Sequence, residues 1–305
     1  MSISNAPLRG ILFFPVTPFD AAGAVDTGLL AEHVESRMPY SPGAVFAACG
    51  TGEFHALSAT EAASVTRATV KAVNGRVPVI AGTGGPLGHA IEIAKAAAAD
   101  GADALLILPP YLVTGNSAGT AAYVEAILEA SGLEAILYHR ASGALVPATL
   151  ERLLKHPLVV GFKDGVGDVG LAQELVLTAR ASGRDDLQLF NGLLTAEWTQ
   201  GAYRALGIPL YSSAAFAMAP AVATAYYDAY TSGDEERRLE ILERFYLPLV
   251  KLRDEVPGFG VALIKAGLRL GGMDVGGVRP PLTDPDQRQT DQLERILAIG
   301  EELTA

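Results

Sequence analysis

Lys163 stands where a sequence puts a reactive amine. The five residues before it, LVVGF at 158–162, form an apolar run too short for a helix, and its Val159–Val160 pair suits a buried strand. Asp164, Gly165 and Gly167 then supply turn chemistry. A lysine at the mouth of a buried strand is partly desolvated, desolvation favours the neutral amine, and a neutral amine attacks carbonyls to form a Schiff base. Many lysines that follow strands are simply solvated, so this stretch alone leaves both readings open. A second candidate is GTGE at 50–53. Gly50 and Gly52 flank Thr51 and leave backbone N–H groups able to bind a carboxylate, or else form only a tight turn before the next segment. The third is Tyr138, which ends the run EAILY. Its phenol is either a proton relay or a packing residue at a rim.

The elements that must position these residues repeat along the chain. Short apolar runs at 11–17, 43–49, 77–83, 103–108, 134–138, 158–163, 187–190 and 208–211 read as strands, and helical patterns separate them. Ser58 and Glu61 give the helix over 59–74 a capping box. Eight strands alternating with helices predict parallel pairing through right-handed crossovers and closure into a (β/α)8 TIM barrel. The first strand–turn unit lacks G-x-G-x-x-G, which weakens a dinucleotide-binding alternative. After about residue 215 the strands stop. Helices at 217–230, 234–252, 260–270 and 286–303 divide the chain into a catalytic barrel over 1–230 and a C-terminal helical extension over 231–305, packed on the barrel.

Composition narrows the function. Half of the 305 residues are hydrophobic and 19% are charged, as in a folded, core-rich chain. A formal charge of −11 without like-charge blocks disfavours nucleic acid and anionic membranes as partners. Cys49 is the one cysteine, so no intrachain disulfide forms, and at the end of AVFAAC it reads as a small core hydrophobe. The opening MSISNAPLRG has no secretory pattern, and the apolar runs are too interrupted to span a bilayer, which predicts a cytoplasmic protein. The five histidines, at 33, 55, 89, 139 and 156, show no metal-ligand spacing, and no Walker loop or G-x-S-x-G elbow occurs. Barrel enzymes carry their chemistry at the C-terminal strand ends. Read there in turn, the chain offers Thr17, the GTGE turn, Pro110-Tyr111, Tyr138, Lys163, Asn191-Gly192 and Ser212-Ser213. This set suggests amine chemistry on a carbonyl substrate, without metal or cofactor.

GTGE after the second strand, a tyrosine ending the fifth and GFKD ending the sixth together resemble the dihydrodipicolinate synthase/N-acetylneuraminate lyase superfamily, Schiff-base barrels that act on 2-keto acids. Within it, FFPVTPFD (13–20), GTGEF (50–54), PPYL (109–112), GFKDGVGD (161–168), TAE (195–197), YRALGIPLYSSAAF (203–216) and VRPPLTD (278–284) are similar to the 5-dehydro-4-deoxyglucarate dehydratases. The resemblance implies that Lys163 forms the imine and Tyr138 relays protons. It implies that Gly50 and Thr51, with Gly52 in the same turn, hold the keto-acid carboxylate, and that Gly192 and Ser212 line the pocket. It also implies a homotetramer. Gly50 in place of a hydroxyl residue, and Leu112 in place of a second tyrosine, agree with the dehydratase pattern rather than that of the synthase or the lyase. His139 where asparagine is usual, His55 where an aromatic is usual, and Ala217-Met218 in place of Asn-Phe depart from it.

The activity so implied is the decarboxylating dehydration of 5-dehydro-4-deoxy-D-glucarate to 2,5-dioxopentanoate, CO2 and water. The competing expectations are a Schiff-base aldolase or lyase on another 2-keto sugar acid, and a barrel that binds a keto acid without transforming it.

Overall fold

The computed structural model describes residues 2–140 and 143–305; Met1, the first residue of MSISNAPLRG, lies outside them. Eight parallel strands close into a barrel in chain order: β1 (Leu12–Phe13), β2 (Ala44–Ala47), β3 (Val79–Thr83), β4 (Ala104–Ile107), β5 (Glu134–His139), β6 (Val159–Asp164), β7 (Gln188–Asn191) and β8 (Leu210–Ser213). Pairing of Leu12 with Ser212 and of Phe13 with Ser213 completes the ring. The predicted (β/α)8 TIM barrel is the observed fold.

Strand boundaries differ from expectation at informative places. β1 is two residues long rather than seven, because Pro15 lacks the N–H that a longer ladder would need. β6, β7 and β8 each run further than read, so that Asp164, Asn191 and Ser212–Ser213 lie within strands rather than after them, while Lys163 is in the strand as expected. Their polar side chains broke the apolar pattern that marks a strand in sequence, although the backbone ladder continues through them.

The register of β5 against β6 slips by one residue: Ala135 pairs with Val159, but Ile136 pairs with Gly161. From there Tyr138 lies opposite Lys163, and His139 opposite Asp164. Without the slip, Tyr138 would face Phe162 and the lysine would belong to the other face of the sheet, since strand side chains alternate. Tyr138 and Lys163 both point into the barrel; His139 and Asp164 point outward toward the helices.

Most helices match their sequence reading. The capping box of Ser58 and Glu61 opens Ala59–Val73, and Asn74 ends that helix in the left-handed region. The pattern over 217–230 is broken into Ala215–Met218 and Pro220–Ser232, since Pro220 starts a new helix more readily than it continues one. The segment over 235–253 is continuous but contains a π-helical turn at Leu242–Tyr246, just before Pro248, whose missing N–H disturbs the ladder. Among the described residues no helix is long and apolar enough to cross a membrane.

Two polar contacts join the region after β8 to the C-terminal end of the barrel. Glu53, held at φ 57 in the turn after β2, forms an ion pair with Lys265 Nζ at 2.6 Å, and neither side chain is exposed. The backbone N–H of Arg279 donates to the same carboxylate at 2.8 Å, while its guanidinium reaches Glu61 at 2.6 Å and the carbonyl of Ala56 at 2.8 Å. Elsewhere Glu197, in the turn after β7, accepts from Ser213 Oγ at 2.5 Å, and the Tyr246 phenol of the π-helical turn interacts with its carboxyl. Burial pushes this carboxyl up to about 7, against the opposing hydrogen bond from Ser213.

Each contact generates a prediction. Lys265→Met leaves a buried carboxylate without its counter-charge and should cost roughly 3–5 kcal/mol in urea unfolding, whereas the double change with Glu53→Gln should recover much of that loss. Glu197 keeps its proton in the folded state above the ordinary 4.5 at which the unfolded chain releases it, so stability should fall as pH rises from 4.5 to about 7. The fall should be on the order of 3 kcal/mol, and Glu197→Gln should flatten this part of a stability–pH curve.

Candidate active site

A cavity of about 430 Å³ opens at the C-terminal end of the barrel. Its wall includes Gly50, Thr51, Tyr138, Lys163, Gly192 and Ser212, six of the seven residues to which the resemblance gives a place in the site. The seventh, Gly52, is not on the wall. It lies behind the turn, where its carbonyl accepts from Thr17 Oγ1 at 2.7 Å and where a Cβ would come within 3.3 Å of Ala48 Cα. Thr17 is thereby a support of the turn, fully buried, rather than a group facing the cavity.

Lys163 lies at the floor. Its side chain is 6% exposed, and Nζ stands 4.2 Å from the centre of the Tyr138 ring and 4.5 Å from that of Phe14. Phe14 is itself stacked on Phe46 at 4.3 Å, which fixes one wall of this slot. The amine therefore sits between two aromatic faces, and its stem lies across Gly192. A Cβ at 192 would fall 2.3 Å from Lys163 Cε, so only glycine leaves the lysine this path. The same close approach recurs at Gly165, where a Cβ would fall 2.6 Å from the Tyr138 ring.

The Tyr138 phenol donates to the carbonyl of Gly192 at 3.2 Å and accepts from Arg140 Nη1 at 3.0 Å. Burial raises its pKa, but the positive charges of Lys163 and Arg140 together outweigh burial and leave the phenol more acidic than an ordinary tyrosine. A phenol so tuned, beside an amine, can exchange a proton with a carbon acid next to an imine.

The turn after β2 presents its backbone to the same space. Phe54 N–H donates to the carbonyl of Cys49 and Glu53 N–H to that of Gly50, both at 3.1 Å. Among the described residues nothing accepts from the N–H groups of Gly50 or Thr51. Ala48 and Glu53 hold left-handed backbone at φ 50 and φ 57, which costs roughly 1–2 kcal/mol for each non-glycine residue. The buried Glu53–Lys265 pair holds that conformation in place. Ser212 faces the opposite wall, its Oγ donating to the carbonyl of Asn191 at 3.3 Å, whereas Ser213 points away toward Glu197. Cys49 is fully buried, and burial pushes its thiol up to about 12 against the opposing charge of Lys163, which makes it a core residue and not a nucleophile.

Several wall residues lay beyond sequence reading. Phe14 was hidden in the apolar run of β1, where only the pleat decides which of two adjacent phenylalanines faces inward. Arg140 and Arg253 bring positive charge to the mouth of the cavity in a chain of net charge −11. Arg253 comes from the helical region after β8, where its Nη1 donates to the carbonyl of Leu194 and to Thr195 Oγ1 at 2.8 and 2.9 Å. No local signal connects it to a loop almost sixty residues earlier. His139, next to the catalytic-looking tyrosine in sequence, is 1% exposed and lies outside the barrel wall, not in the cavity. Among the described residues no cluster of three or more His, Cys, Asp or Glu is arranged to hold a metal ion.

The chain is similar to known proteins over nearly its full length. It is 46% identical over 311 residues to a protein named "Probable 5-dehydro-4-deoxyglucarate dehydratase" from Streptomyces griseus, covering 99% of this chain and 97% of that one. Its fold superimposes on dihydrodipicolinate synthase from Bacillus clausii with a TM-score of 0.87 at 26% identity, covering 97% and 98% of the two chains. It superimposes on YagE, a prophage protein of the dihydrodipicolinic acid synthase family from E. coli K12 in complex with pyruvate, with a TM-score of 0.86 at 25% identity, covering 97% and 99%. The model of the dihydrodipicolinate synthetase family matches residues 7–299, and the chain belongs to that family.

Proposed function

We propose that the protein is a decarboxylating dehydratase that converts 5-dehydro-4-deoxy-D-glucarate to 2,5-dioxopentanoate, CO2 and water through an imine on Lys163. The observation that carries this reading is the Lys163 amine held between Phe14 and Tyr138 at the cavity floor, beside a turn with two free backbone N–H groups. The name borne by the relative from Streptomyces griseus supports the substrate. The keto-acid carboxylate would lie against the N–H groups of Gly50 and Thr51, with the C5 ketone reaching Lys163 and with Ser212 and Gly192 closing the far side.

In this scheme Lys163 Nζ adds to C5, and loss of water leaves the protonated imine as an electron sink. A proton leaves C4, with the Tyr138 phenol as relay, and the C3 hydroxyl departs as water. The C3=C4 bond so formed is conjugated with the imine. Loss of C1 as CO2 then sends its electron pair through C2–C3 into the same sink, giving a dienamine with an enolic C2. Reprotonation on carbon, enol-to-aldehyde conversion and hydrolysis of the imine release the product and the free lysine. One amine serves both bond cleavages, so the scheme calls for no metal or organic cofactor. Arg140, in contact with the phenol, and Arg253 at the mouth supply the positive charge that a dicarboxylate needs on entry.

We further propose the division of the chain into a barrel over 1–230 and an extension over 231–305, and a cytoplasmic homotetramer. Leu112, fully exposed at φ 68, and the exposed Val113 beside the cavity mouth support a subunit contact there.

Incubation with 5-dehydro-4-deoxyglucarate should release CO2 and no pyruvate. Pyruvate release would instead identify an aldolase, and the absence of any borohydride-trapped adduct at Lys163 would leave only a binding protein. Lys163→Ala should abolish both turnover and adduct while the fold is retained, as read by circular dichroism. Tyr138→Phe should keep the adduct and lower kcat by about 10²–10⁴. Arg140→Met should raise KM about tenfold, an effect of about 1.4 kcal/mol on substrate binding.

A further inference from the structure

Behind the two groups assigned to the chemistry, on the outer face of the same two strands, lies a buried polar cluster that the proposed mechanism does not use. His139 and Asp164 are cross-strand partners, directly next to the Tyr138–Lys163 pair, and each is 1% exposed. Both imidazole nitrogens have definite neighbours. Nδ1 accepts from the backbone N–H of Leu145 at 2.6 Å, and Nε2 faces Asp164 Oδ1 at 3.7 Å, an electrostatic contact longer than a hydrogen bond. A nitrogen that accepts carries no proton, so the ring is neutral with its proton on Nε2, directed at the carboxylate. Burial pushes His139 below the ordinary histidine range, with Asp164 and Asp168 opposing, in keeping with a neutral ring. Asp164 is held in turn: Oδ1 accepts from Val166 N–H at 2.9 Å, and Oδ2 accepts from the Tyr203 phenol.

The contact with Leu145 lies beside one between Gly143 and Arg140. There Gly143 N–H donates to the Arg140 carbonyl at 2.9 Å. Arg140 leaves β5 as an exposed residue, and its Nη1 donates to the Tyr138 phenol at 3.0 Å. Leu145 is thus tied to His139, Gly143 to the Arg140 carbonyl, and the Arg140 side chain to Tyr138, all at one short piece of β5.

We propose that His139 is a positioning residue which, by facing Asp164 and anchoring Leu145, two residues after the Gly143 N–H that holds the Arg140 carbonyl, keeps the Arg140 guanidinium on the Tyr138 phenol. This role rests on the reading of Lys163 and Tyr138 given above. It predicts different results from two substitutions of similar size. Asparagine places an amide oxygen near the former Nδ1 and can still accept from Leu145 N–H. Glutamine carries its amide out toward the former Nε2 and gives up that bond.

The test reads the Tyr138 phenol directly, by alkaline spectrophotometric titration of each protein minus its Tyr138→Phe counterpart, alongside KM and borohydride trapping with pyruvate. In His139→Gln the phenol should titrate at higher pH than in the wild type and KM should rise about tenfold, while the Lys163 adduct still forms. In His139→Asn both values should return toward those of the wild type. Thermal melts establish that each variant is folded. A folded His139→Gln with wild-type phenol titration and KM overturns the proposal, as does His139→Asn impaired to the same degree as His139→Gln. If the wild type forms no adduct and turns nothing over, the Lys163 reading fails, and the Tyr138 titration still decides the role of His139.

Discussion

The site depends on a one-residue slip between β5 and β6. In a parallel pair, residues in register point to the same side of the sheet, and the slip between Ala135 and Ile136 brings Tyr138 level with Lys163 on the inner face. Phe190 on β7 lies in register with Lys163 from the other side. A register shifted by one residue would send either the phenol or the amine into the helical layer. The amine then needs a path across its neighbouring strand, and Gly192 provides it by having no Cβ. Three consecutive strand ends are therefore specified together: the phenol, the amine and the gap the amine lies over.

The outer face of this region matters as much as the inner one. His139 and Asp164 would be costly to bury unpaired, and their contacts with Leu145, Val166 and Tyr203 offset that cost. These contacts also restrict the strand ends that carry Tyr138 and Lys163. A similar logic holds at the turn after β2, where left-handed backbone at Glu53 is retained because Lys265 and Arg279 bind its carboxylate. Helices that follow the last strand thus support the rim of the cavity from outside, and one of them contributes Arg253 to its wall.

Charge is distributed against the average. A chain with eleven more acidic than basic residues gathers Arg140, Arg253 and Lys163 around one opening, together with the N–H groups of Gly50 and Thr51, which have no acceptor among the described residues. Field lines from such a cluster are focused by the low-dielectric walls, which favours the entry of an anion over a cation.

Much of this was legible in the residues themselves. Apolar runs at regular intervals determined eight strands, because a strand buried on both faces has to be apolar on both. The Ser58–Glu61 capping box and the lysine at the end of a buried strand are local signals, and they were read correctly as local structure. The strand ends at Ser212 and Asn191 were misjudged because polar residues interrupt a pattern that hydrogen bonding continues. Only the tertiary structure decided which neighbour of each pair faces the cavity. The pleat turns Tyr138 inward and His139 outward, Ser212 inward and Ser213 outward, and Gly52 away from the wall that Gly50 and Thr51 form. It alone brought in Arg253 and Lys265, whose roles depend on contacts with residues far away in sequence. Composition and periodicity record what each residue must bury; which distant residue it meets follows from the closure of the barrel and the register of its strands.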